Sequence, residues 1–211
     1  MLDWEEFLEP YKLAVEELKV KLKGIRRQFD LEGTHSAIEF VTARVKPIPS
    51  IIDKAKLRNI ALENLETEMQ DIAGLRIMCQ FVDDISKIVR LLRMRNDFKI
   101  VEEKDYISHK KASGYRSYHM IIEYPVQTIH GERKVLAEIQ IRTLAMNFWA
   151  TIEHSLNYKY NGVFPEDIQF RLQRAAEAAF LLDEEMYLIR EEIREAQAYF
   201  SAKKITKDRG E

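Results

Sequence analysis

The sequence predicts an α+β domain in which one sheet is flanked by helices, long ones at the N- and C-terminal ends. Apolar residues recur every three or four positions at both ends of the chain, and the period falls to two in the middle. No Pro/Ser-rich linker separates these regions, so residues 1–211 read as one domain. Its core spans 35–160, with flanking helices over 1–30 and 165–204.

At the N-terminal end, Trp4, Phe7, Leu8, Tyr11, Val15, Leu18, Leu22, Ile25 and Phe29 form one helix face, and Gly33 closes the segment. A second helix is expected from Pro49-Ser50, where Ser50 and Asp53 have capping-box-like spacing. Strands are expected at Leu75–Val82, Phe98–Glu102, Tyr118–Tyr124 and Val135–Thr143, with a helix over Ile85–Arg95. Gly131 marks a hairpin turn between the last two strands. Ala145–Tyr160 reads as a helix that buries Phe148, Trp149, Ile152 and Leu156.

From Pro165 onward, Ile168, Leu172, Ala175, Ala179, Leu182, Met186, Ile189, Ile193, Ala196 and Phe200 describe a heptad seam. The seam either packs on the N-terminal stripe of the same chain or joins copies, and its length favours association. Lys203–Glu211 is expected to be a frayed polar tail.

Composition narrows the function classes. The formal net charge is −2, which gives no overall attraction to nucleic acid. The single cysteine, Cys79, lies in an apolar run and reads as a small buried hydrophobe, which excludes a disulfide framework and a cysteine zinc site. With no basic leader and no apolar run long enough for a membrane span, a soluble cytoplasmic protein is expected.

Chemistry concentrates at four places. On the last strand Val135, Ala137, Ile139 and Ile141 point one way, so Glu138, Gln140 and Arg142 point the other. Simple exposure of a sheet face explains that pattern equally well. Asp71 precedes a strand that carries Arg76; Asp71 and Glu138 could share Mg²⁺, although a helix-capping Asp is no less common. Arg44, Lys46, Lys54, Lys56 and Arg58 form a cationic run, with Ser50, Lys54 and Arg58 on one helix face. That stripe suits a polyphosphate or merely a solvated surface, and no Gly-rich phosphate loop accompanies it. Finally, Lys110–His119 combines lysines, Gly114 and Tyr115, as a loop that clamps a nucleotide would; Tyr115 as a core residue is the competing reading.

Taken in order, Asp71-Ile72-Ala73-Gly74-Leu75-Arg76, Ser113-Gly114-Tyr115-Arg116-Ser117-Tyr118-His119, Glu138-Ile139-Gln140-Ile141-Arg142-Thr143, Met146-Asn147-Phe148-Trp149-Ala150 and Glu153-His154 resemble the synthetase domain of the RelA/SpoT alarmone family. The resemblance covers nearly the whole chain and is closest to the small RelQ-type synthetases. It implies a nucleotidyltransferase-like mixed sheet and Mg²⁺-dependent transfer of pyrophosphate from ATP to the 3′-hydroxyl of GDP or GTP. It also implies that Asp71 and Glu138 are the catalytic metal ligands. ATP would meet Arg44, Lys46, Ser50, Lys54 and Arg76, with Arg58 a weaker member. The guanine nucleotide would meet Lys111, Tyr115, His119, Asn147 and Glu153.

The same resemblance implies a homotetramer and a product-binding (p)ppGpp site at Lys19, Lys23, Phe40, Thr42 and Asn147, with single-stranded RNA as a further partner. Hydrolase activity is not expected, since no His-Asp dipeptide occurs. Two other classes compete with the enzyme: a catalytically silent nucleotide- or RNA-binding regulator on the same fold, and a helical oligomerisation module.

Overall fold

The computed structural model describes residues 2–160 and 164–208. Helix α1 runs over Trp4–Leu31. Asp3 starts it, its Oδ1 accepting from the backbone N–H of Glu5 at 2.9 Å. Strand β1 (Phe40–Val45), helix α2 (Ile48–Arg58), a 3₁₀ turn (Leu62–Asn64) and the short α3 (Leu65–Glu68) lead into β2 (Ala73–Cys79). Then follow α4 (Val82–Arg93), β3 (Lys99–Asp105), β4 (Tyr118–Thr128), β5 (Gly131–Thr143), α5 (Leu144–Lys159) and α6 (Glu166–Asp208).

The five strands lie in the order β1-β2-β5-β4-β3. β2 and β5 pair in parallel, and the other neighbours are antiparallel, so the sheet is mixed as expected. One face is apolar: Ala73, Leu75 and Ile77 of β2, Ala137, Ile139 and Ile141 of β5, and Met120, Ile122 and Tyr124 of β4 are buried there. The stripe of α1 covers this face with Phe7, Leu8, Tyr11, Ala14, Val15, Leu18 and Leu22. Burying several such side chains, at roughly 1.5–3 kcal/mol each, ties α1 to the sheet. The α1 stripe is therefore unavailable to the C-terminal seam. Cys79 is buried in the same core.

Several expectations are corrected. β1 was not expected as a strand. Its alternation of Val41 and Ala43 inward with Phe40, Thr42 and Arg44 outward is masked by the basic residues around it. Helix α2 begins at Ile48 with Pro47 as its cap and no side-chain capping bond, so Ser50 and Asp53 form no capping box. Pro49 in the first turn supplies the fixed φ instead. On α5, Trp149 and Ala150 are buried, whereas Phe148, Ile152 and Leu156 are exposed.

The C-terminal helix packs on α5 and α4. Its inward face carries Ala176, Phe180, Asp183 and Arg190, because polar partners meet it there: Asp183 binds Thr143 and Arg190 binds Asp83. Leu182, Met186, Ile189, Ile193 and Phe200 of the seam remain exposed. The helix continues to Asp208, past the point where fraying is expected, and residues 209–211 lie outside the described residues. No described helix is long and apolar enough to cross a membrane.

Candidate active site

The face of the sheet that α1 leaves uncovered carries the polar side chains, because strand alternation sends them there. Two rows cross it. Arg44, Gly74, Glu138 and Ile121 stand opposite one another on β1, β2, β5 and β4; Thr42, Arg76, Gln140 and His119 form the next row. Gly74 has no side chain between Arg44 and Glu138, and a cleft opens there. Its lining includes Arg44, Lys46, Asp71, Arg76, Glu138 and Gln140.

Asp71 sits in the turn before β2, level with the end of β1, where the Lys46 N–H donates to the Ile72 carbonyl at 2.8 Å. Two lysines converge on its Oδ2: Lys46 Nζ at 2.7 Å and Lys54 Nζ, from α2, at 2.6 Å. Burial pushes the Asp71 carboxyl up, but the two ammonium groups outweigh it and hold the pKa below the usual carboxylate range. Lys54 moves down, since burial and the neighbouring Lys46 outweigh the attraction of Asp71. The second oxygen, Asp71 Oδ1, is buried without a hydrogen-bond partner among the described residues.

Glu138 is held from both sides. His119 Nδ1 lies 2.8 Å from its Oε1, and the Gln140 amide donates to its Oε2 at 2.7 Å. Burial raises its pKa, yet the His119 contact prevails and the carboxyl stays low. His119 Nε2 in turn lies 2.8 Å from the Tyr115 hydroxyl. Arg142 donates to that hydroxyl at 3.0 Å and to Gln140 Oε1, which also accepts from Arg76 Nε at 3.2 Å. Arg76 and Arg142 are both desolvated, which lowers their pKa values and leaves them electrostatically unshielded toward an anion.

Lys111 Nζ stands 5.0 Å from the Tyr115 ring centre and 4.5 Å from that of Tyr106, so the loop presents a cation and aromatic faces together. Arg44, Lys46, Lys54, Arg76, Asp71, Glu138, His119 and Tyr115 are thus gathered around one sheet face. Ser50 and Arg58 are exposed and line no part of the cleft. Asn147 lies in the first turn of α5 with its Oδ1 buried and unpaired among the described residues. Glu153 lines a separate cavity, shared with Ser113 and Gln173.

Phe40 and Thr42 lie on the face of β1 turned away from α1, which carries Lys19 and Lys23, and Thr42 lines the cleft. Arg142 and Gln140, which organise the polar face, carried no assignment from the sequence. The sequence placed both on the face of Glu138 without giving them a role there.

Residues 43–163 match the family model for the region found in RelA / SpoT proteins. The chain belongs to the RelA/SpoT family. GTP pyrophosphokinase YjbM of Bacillus subtilis (strain 168) is 65% identical, over 95% of each chain. The crystal structure of small alarmone synthetase 1 from Bacillus subtilis bound to its product pppGpp is similar with a TM-score of 0.87. That pair is 64% identical and covers 90% of this chain and 97% of the other. The AMPCPP-bound structure of that synthetase matches with a TM-score of 0.80 at 60% identity, covering 91% of this chain and 98% of the other. These likenesses place the chain among the small alarmone synthetases.

The family chemistry implies a divalent cation, and the cleft fits one. Asp71 Oδ1 is a buried carboxylate oxygen in want of a partner, and Glu138 lines the same cleft. No cluster of three or more His, Cys, Asp or Glu side chains suited to a metal occurs among the described residues. A hard ion that keeps waters and shares substrate phosphates, as Mg²⁺ does, suits a two-carboxylate site.

Proposed function

We propose that this chain transfers pyrophosphate from ATP to the 3′-hydroxyl of GDP or GTP at the cleft of Asp71 and Glu138. The observation that carries the reading is that two carboxylates held low face a bank of cations across one cleft. Arg44 and Arg76 would flank the adenine, and Lys46 and Lys54 would meet the phosphates. Tyr115 would stack on the guanine, with Lys111, His119, Asn147 and Glu153 around the acceptor. The exposed Ser50 would need to be reached by the outer phosphates.

In the reaction the acceptor O3′ forms a bond to the β-phosphorus of ATP while the bond from that phosphorus to the α,β-bridging oxygen breaks. AMP departs with that oxygen, and the proton of the 3′-hydroxyl passes to solvent. Mg²⁺ held by Asp71 and Glu138 would supply charge for the phosphate oxygens. Lys46 and Lys54 place two cations beside Asp71 to orient the triphosphate, and holding both nucleotides in line removes much of the entropic barrier. Glu138, kept low by His119, is suited to holding a cation rather than retaining a proton.

The exposed seam of α6 supports a homo-oligomer, with the homotetramer as the expected state. A product-binding site using Lys19, Lys23, Phe40, Thr42 and Asn147 would then lie between copies.

The test is synthesis from labelled ATP with GDP or GTP, followed by nucleotide separation. Asp71→Asn and Glu138→Gln keep side-chain volume but remove a charge, and each is expected to cost at least ~3 kcal/mol of transition-state stabilisation. Turnover within a few-fold of the unsubstituted chain would overturn the assignment. No synthesis by the unsubstituted chain, with nucleotide binding intact, would favour the silent regulator.

A further inference from the structure

The loop that carries Lys111 and Tyr115 is built against the C-terminal helix. Tyr115 packs on a small satellite core of Trp149, Ala150 and Ala176, apart from the main core under the sheet. Four residues of α6 at positions 173, 176, 177 and 180 share one helix face and grip the loop. The Gln173 amide donates to the Ala112 carbonyl. Ala176 presses on Gly114, where an added Cβ would stand 2.6 Å from the Ala176 Cβ. The φ of +88° at Gly114 disfavours any side chain as well.

Glu177 makes the charged contacts. Its Oε2 accepts from Lys110 Nζ at 2.8 Å and from Arg116 Nη2 at 3.1 Å. The Lys110 pair is half exposed and contributes little by itself. Arg116 differs, because its side chain is only 7% exposed and lies 3.7 Å over the Phe180 ring. Its Nε and Nη1 have no hydrogen-bond partner among the described residues. Glu177 is therefore the carboxylate that holds this buried charge, and removing it would leave Arg116 unpaired. Lys110 and Arg116 are also the immediate neighbours of Lys111 and Tyr115 in sequence, so whatever fixes the first pair fixes the second.

We propose that this face of α6 is a strut for the acceptor loop, and that Glu177 is a positioning residue for GDP or GTP through its grip on Lys110 and Arg116. The proposal rests on reading that loop as the acceptor site. Glu177 itself need touch neither nucleotide.

Steady-state rates of the full chain, with GDP and ATP varied in turn, test it. Glu177→Ala is expected to raise the KM for GDP about tenfold, since an unbraced loop must be ordered at the expense of binding. The KM for ATP and kcat at saturation should stay within about twofold, a split that general loosening would not give. If Glu177→Ala does not yield folded protein, Gln173→Ala, which removes only the contact to Ala112, should show the same split at roughly threefold. An unchanged KM for GDP, or equal rises for both nucleotides, would overturn the strut. Tyr115→Ala, measured alongside, separates the two readings. If it leaves the KM for GDP untouched, the loop is not the acceptor site and the strut falls with it. If it raises that KM while Glu177→Ala does not, the acceptor site stands and only the strut is lost.

Discussion

At Asp71 one negative charge faces two ammonium groups, with Arg44 and Arg76 on the same cleft wall. The surplus of positive charge is what a polyphosphate needs, and partial burial preserves its strength. Arg76 is tethered through Nε to Gln140, which fixes the plane of its guanidinium beside the cleft. Arg76→Ala is accordingly expected to raise the KM for ATP about tenfold, a loss of ~1–2 kcal/mol of stacking and charge, with GDP little affected. Kinetics with each nucleotide varied separately would check this, and an equal loss for both would show that Arg76 does not belong to the donor side. Single residues such as Glu138, Gln140 and Arg142 were legible in the alternation of β5. Their partnerships were not: Lys46 and Lys54 stand 25 and 17 residues from Asp71, and local spacing carries no sign of that convergence.

Among the elements, strands with clean apolar alternation were legible, as in β4 and β5, and edge strand β1 was not. One face of β1 meets solvent and the cleft, so its exposed Thr42 and Arg44 dilute the apolar signal. Helix α6 was legible as a helix, but not in its docking face, which is chosen by polar contacts rather than by the apolar row. Asp183 is the clearest of these. It is 5% exposed and accepts from Thr143, whose hydroxyl also caps α5 by accepting from the Met146 N–H at 3.1 Å. Burial, only partly offset by the Thr143 bond, pushes its carboxyl from 3.8 up to about 6. The folded chain keeps this proton where the unfolded chain has released it. This residue therefore makes stability fall as pH rises from 3.8 to about 6, with a constant penalty above. Asp183→Asn retains an acceptor for Thr143 without the charge. It should stabilise the fold by ~1–3 kcal/mol near neutral pH, the gain fading toward acid. Thermal unfolding across pH would measure it, and a variant less stable than the unsubstituted chain at neutral pH would contradict this account of Asp183.

For the molecule as a whole, the outward row of α6 is the largest departure from a self-contained fold. Leu182 and Ile189 are 54% and 39% exposed, on a helix whose other face is already committed to α4 and α5. Leu182→Glu combined with Ile189→Glu should convert an oligomer to smaller species, because charges buried at two layers of the seam lack partners. Light scattering would show this, and a single-chain mass for the unsubstituted protein across the micromolar range would refute association through the seam. The contact between Gly114 and Ala176 has a temporal side as well. A ribosome releases a chain N-terminus first, and the sheet, both lysines, Asp71 and Glu138 all precede α6. The residues read as the donor side are therefore all synthesised before the helix that clasps the loop read as the acceptor site. On the strut proposal, a chain stalled before residue 173 would hold every residue assigned to ATP and lack the helix that sets a place for the second nucleotide.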